Sequence, residues 1–150
     1  MGKRFSVIGV LLSISLWASL VYCQNISEDE EKEIYKYMIH QQRLMCEGGG
    51  GNLKEIFNYT AEDYWITVDE AKRIYRSRFY RPKSAQEQKI TNRMLEKFAS
   101  FPQTATREDH VRVGKEIMEE FGIDEDDLFE IDIRNIPPGS SELKDLGIED

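Results

Sequence analysis

The chain has 150 residues, with 28 acidic against 20 basic side chains and a net charge of −8, a balance that disfavours nucleic-acid backbones and anionic membranes. Two cysteines, Cys23 and Cys46, exclude the disulfide-dense frameworks on which many small secreted domains depend. The length suits one domain with its own hydrophobic core.

Lys3 and Arg4 precede an apolar run from Phe5 to Tyr22, and at Gln24 the sequence turns abruptly polar and acidic. A basic start, an apolar middle and an abrupt end predict a cleaved secretory signal peptide over 1–23, hence a secreted, extracellular protein. The alternative is an uncleaved anchor, because about 18 apolar residues just span a bilayer. Gly2 and Ser6 satisfy a myristoylation pattern, but an apolar run directly behind them would be captured for translocation first.

A cut after Cys23 leaves Cys46 as the lone thiol. It is expected to be buried and inert, or to link a homodimer by an intermolecular disulfide; an earlier cut would permit a Cys23–Cys46 bridge. Asn25-Ile26-Ser27 and Asn58-Tyr59-Thr60 are acceptor triplets for N-glycosylation, with Asn58 expected between two helices.

The rest reads as helices with their own start signals. Ser27 and Glu30 form a capping box that opens a helix with Ile34, Met38, Gln41 and Met45 on one stripe and Tyr35, Ile39 and Gln42 beside it. Gly48 to Gly51 end that helix as a flexible hinge. Leu53 to Asn58 gives one or two turns, and Thr60 is placed to cap another containing Tyr64 and Trp65. Thr67 and Glu70 start a helix that directs Ala71, Ile74, Tyr75, Phe79 and Tyr80 inward, and Pro82 stops it.

Ser84 and Glu87 open the next, with Ile90, Met94, Leu95, Phe98 and Phe101 before Pro102. Thr106 and Asp109 open a fourth, with Val111, Gly114, Ile117, Met118 and Phe121 inward and Gly122 as its terminator. Leu128 to Ile133 reads as a helical turn begun at Asp124. The fold class is therefore all-α: four to five amphipathic helices over 24–136, followed by an irregular acidic tail over 137–150, whose last nine residues read as a tail or a weak terminal helix.

Arg73, Arg76, Arg78, Arg81 and Lys83, with Tyr75, Phe79 and Tyr80 among them, are the densest part of a basic segment over 72–97. Two outcomes compete for it: a surface for a polyanion, or charges that answer the acidic C-terminal third. Arginine and tyrosine are enriched at binding hot spots, which makes Arg73, Arg76, Tyr80 and Arg81 the candidate partner-binding residues.

Asp124 to Asp127 invites a calcium loop, but Leu128 and Phe129 stand where an oxygen ligand and a glycine are required, so no metal site is expected. His40 and Cys46 are six residues apart and point to different sides of one helix. Pairing Cys46 with His110 would require the fold to bring them together. No nucleophile elbow or phosphate loop is present, so no catalytic residue and no cofactor are expected. Many aromatic residues, with Met38, Met45, Met94 and Met118, could line a cavity for a fatty acid or similar ligand. The expectation is a secreted, non-enzymatic helical protein that binds another protein. Its alternatives are a carrier of a small hydrophobic ligand and a polyanion-binding module.

Overall fold

The computed structural model describes residues 26–48, 52–102, 104–145 and 148. The signal segment 1–23 with Cys23, the acceptor Asn25 and the hinge residues 49–51 lie outside the described residues. The described residues form helices and no strands: α1 Glu28–Glu47, α2 Leu53–Asp63, α3 Val68–Phe79, α4 Ala85–Ala99, α5 Arg107–Phe121, α6 Glu125–Ile133 and the short α7 Ser141–Asp145. None of them is long and apolar enough to cross a membrane.

The four capping boxes read from the sequence form as expected, at Ser27/Glu30, Thr67/Glu70, Ser84/Glu87 and Thr106/Asp109. A fifth joins Asp124 and Asp127 at the start of α6. Each contributes about 1 kcal/mol by giving partners to amides that the helix itself leaves open. The acid at Asp124 and Asp127 is thus explained by helix initiation.

Residues 53–63 form one helix rather than two shorter pieces. Asn52 supplies its cap, accepting from the Glu55 amide at 3.1 Å. Thr60 is not a cap: it is fully buried, and its hydroxyl donates to the Ile56 carbonyl at 2.7 Å inside the helix. Asn58 therefore stands in mid-helix on the exposed face, not in a linker between helices.

Two apolar clusters form. The first lies among α1, α2 and α3, where Tyr35, Met38, Ile39, Ile56, Ile74, Tyr75 and Phe79 are buried. Tyr75 stacks on Phe79 at 5.5 Å, and its hydroxyl donates to Gln42 Oε1 at 2.8 Å. The second lies among α4, α5 and α6, around Ile90, Met94, Val113, Ile117 and Ile131. On α6, Ile131 faces the second cluster and Ile133 the first, so this helix ties the halves together.

Three residues expected inward turn outward instead: Tyr80, the C-cap of α3, is 53% exposed, Leu95 62% and Val111 51%. The buried stripe of α4 runs through Ile90, Met94 and Phe98, so Leu95 sits about 100° off it. That of α5 runs through Val113 and Ile117, which puts Val111 on the far side. The stretch set aside as an acidic tail contributes to the core: after Pro137-Pro138-Gly139 the chain forms α7, and Leu143 and Ile148 bury in the first cluster. Two aliphatic side chains are too few to show a periodicity, but Leu143 and Ile148 both reach the core.

Candidate functional site

The second apolar cluster is not closed on all sides. Between the C-terminal end of α1 and the α4–α6 layer an open groove of about 670 Å³ remains, within the size range of small-molecule sites. Its walls are largely apolar: Met94 and Phe98 from α4, Val113, Ile117 and Met118 from α5, and Leu128 and Phe129 from α6. Gly114 opens the wall of α5, where a methyl group would only reach ordinary contact with Leu128 at 3.5 Å. Arg107 and His110, from the first turn of α5, add polar groups to the lining, and α1 contributes Arg43, Cys46 and Glu47.

Arg43 is committed to the fold. Its Nε donates to Asp126 Oδ1 at 2.6 Å, and its terminal nitrogen reaches Glu47 at 2.8 Å and Glu125 at 3.1 Å. His40 Nδ1 lies 2.9 Å from the other Asp126 oxygen. Burial by itself would raise the Asp126 carboxyl, but the hydrogen bonds from Arg43 and His40 outweigh it and hold the group below its ordinary range. This cluster pins α1 to α6 and fixes one wall of the groove.

Cys46 is a free and exposed thiol, against the expectation of a buried one. The protein atoms around it still desolvate it enough to raise its pKa, and the charge of Glu47 adds to the shift. Tertiary structure brings Cys46 and His110 to the lining of one groove, which sequence spacing did not reveal. His110 packs against the rings of Phe98 at 5.4 Å and Phe101 at 5.2 Å. A thiol held protonated is a poor nucleophile.

Of the candidate partner-binding residues, Arg73, Arg76 and Tyr80 are exposed and Arg81 is partly buried. Arg73 pairs with Glu31 at 2.7 Å, and Arg81 forks onto Glu87 at 2.8 and 3.0 Å with Glu130 at 3.4 Å. Arg76 lies on the last turn of α3 and Tyr80 is its C-cap, the Tyr80 ring meeting Phe79 edge-on at 5.1 Å. Further along the basic segment, Arg78 donates to the Glu28 carbonyl, Arg93 meets Glu120 at 3.1 Å and Lys97 meets Glu116 at 2.5 Å. Of the two outcomes, internal charge pairing describes most of these side chains. Their acidic partners come from α1 as well as from the C-terminal third.

Sequence reasoning missed one polar centre. Arg134, 3% exposed, bonds to Glu87 and also donates to the carbonyls of Phe79 at 2.9 Å and Arg81 at 2.6 Å. Glu130 lies 3.4 Å from it and accepts from the Tyr35 hydroxyl at 3.0 Å. Burial pushes against ionisation of Glu87, yet the bonds from Arg81 and Ser84 and the charge of Arg134 bring its carboxyl down to about 2. In Glu130 burial prevails over Tyr35, Arg81 and Arg134, and the carboxyl is raised. The only local signal for Arg134 is the four-residue spacing from Glu130; its other partners, Phe79, Arg81 and Glu87, are 55, 53 and 47 residues away.

Comparison with family models, curated proteins and solved structures gives no match.

Proposed function

We propose that this is a secreted, non-enzymatic carrier whose groove between α1 and the α4–α6 layer takes a small amphipathic ligand of the fatty-acid type. The single observation that carries this reading is the groove itself: about 670 Å³, walled by Met94, Phe98, Ile117, Met118, Leu128 and Phe129. Methionine and aromatic side chains adapt to flexible alkyl chains. Arg107, exposed at the start of α5, supplies a positive charge for a carboxylate headgroup, and the helix terminus reinforces it.

The test is uptake of a fluorescent fatty acid, with native mass spectrometry of the purified protein alongside. Wild type binds, and Gly114→Phe, which fills the groove from the α5 wall, loses binding while keeping its helicity. Absence of uptake by wild type, or unchanged uptake in Gly114→Phe, overturns the reading.

A protein partner on the α3 face is the second reading, supported by the exposed pair Arg76 and Tyr80. Alanine at both positions would then abolish recovery of a partner from the extracellular fluid and leave fatty-acid uptake intact.

A further inference from the structure

A second concavity, of about 540 Å³, lies where α2 gives way to α3, lined by Asn58, Ala61, Glu62, Trp65, Ile66 and Val68. Trp65 is its unusual member. It is 86% exposed, and its φ of 55° is the only positive value at a non-glycine among the described residues. The Ile66 amide bonds back to the Ala61 carbonyl at 3.1 Å and closes a turn around Trp65. Such a helix ending calls for a left-handed residue just past the last turn, and glycine fills that place without steric cost.

The same chain does this at α5, where Gly122 has φ of 64° and the Ile123 amide bonds to the Met118 carbonyl at 3.2 Å. At position 65 the place is held by the bulkiest side chain available, in a strained conformation and with no core to fill. The fold does not need an indole there; a ligand would use one.

Asn58 lines the same concavity. With Ala61 and Glu62 it shares one stripe of α2, and Trp65, two residues past the end of the helix, completes the lining. Asn58 is exposed, and it opens the acceptor triplet Asn58-Tyr59-Thr60. Thr60 is fully buried in the folded chain, so attachment belongs to the stage before α2 forms.

We propose that Asn58 carries an N-linked glycan whose first sugars lie in this concavity, stacked on the indole of Trp65. The proposal goes beyond the carrier reading and rests on entry of the chain into a eukaryotic secretory route. In the transfer, one Nδ2–H bond of Asn58 is replaced by a bond to the anomeric carbon of an oligosaccharide carried on a lipid diphosphate. The lipid diphosphate leaves with the electron pair, and the amide proton passes to a base of the transferase. Asn58 and Trp65 both line one concavity of about 540 Å³, which has room for the first sugar rings. Pyranose rings present C–H faces that suit the negative face of an aromatic ring. Ala61 leaves room between the two residues, and Glu62 offers acceptors to sugar hydroxyls. Covalent attachment makes the contact intramolecular, so a weak stacking interaction suffices.

Trp17 leaves with the signal segment, so Trp65 is the only tryptophan of the secreted chain and its fluorescence reports on this concavity alone. The experiment takes protein secreted by a eukaryotic host, confirms occupancy at Asn58 by peptide mass, and measures acrylamide quenching before and after enzymatic removal of the glycan. With one indole face covered, the quenching constant of the glycosylated form is about half that of the trimmed form. Asn58→Gln behaves as the trimmed form and Asn25→Gln as the intact one, each with unchanged helicity. If Asn58→Gln is not secreted, trimming of the folded wild type still decides. An unoccupied Asn58, or quenching that trimming leaves unchanged, overturns the proposal.

Discussion

Replacing Arg134 by methionine removes one guanidinium and takes a donor from four acceptors. Its Nε serves the Phe79 carbonyl and one terminal nitrogen the Arg81 carbonyl, so the end of α3 loses two bonds. The other terminal nitrogen serves Glu87 and Glu130, which would then keep Arg81 as their shared cation, with the neutral donors Ser84 and Tyr35. Methionine keeps most of the packing of the arginine stem, so the loss reports hydrogen bonding and charge. A buried ion pair that loses one partner costs about 3–5 kcal/mol. Each carbonyl left without a donor costs about 1–3 kcal/mol if water cannot reach it. The two terms overlap, and the expected loss is about 4 kcal/mol, a large share of the roughly 5–15 kcal/mol that holds a domain folded.

Urea unfolding followed by far-ultraviolet circular dichroism at neutral pH measures this loss. Arg134→Lys, which keeps the charge but not the planar fork, should fall between wild type and Arg134→Met. In a cycle with Glu87→Gln, the double variant should lose less than the two singles added, by about 1 kcal/mol or more. A loss below about 1 kcal/mol in Arg134→Met, the level of a surface ion pair, would refute the assignment of Arg134 as the central tie.

Three further outcomes follow from the same geometry. Glu87 has a folded pKa below its unfolded value, so its stabilisation is full above the ordinary carboxylate range and is lost as pH falls toward about 2; Glu130, raised on folding, has the opposite sign and favours the fold as it protonates. Unfolding curves across that range should therefore show Glu87→Gln flattening the acid-induced loss of stability and Glu130→Gln steepening it. Leu143→Ala should lower stability by about 2–4 kcal/mol in urea, whereas a shift under about 0.5 kcal/mol would mean that the C-terminal stretch is not part of the core. In protein made without a glycan, Trp65→Gly should gain about 1 kcal/mol and Gly122→Ala lose about as much, because both positions require positive φ; equal effects at the two sites would contradict that geometry.

The helical class, the capping boxes and most core faces were legible because they are local: a cap acts over three residues and an amphipathic stripe repeats every three or four. Ile74, Tyr75, Ile90 and Ile117 are all buried as their spacing predicts. The phase errors at Leu95 and Val111 arose where several apolar residues crowd one turn and only the neighbouring helix selects which of them goes inward. Cys46 lining the same groove as His110, Arg134 at the centre of three elements and Leu143 under the first helices were decided by tertiary structure alone. Their partners are tens of residues away, and no local pattern encodes which helix faces which. The basic segment shows the same division. Its charge is plain in the sequence, but only packing reveals that Arg73 pairs with Glu31 and Arg81 with Glu87 and Glu130.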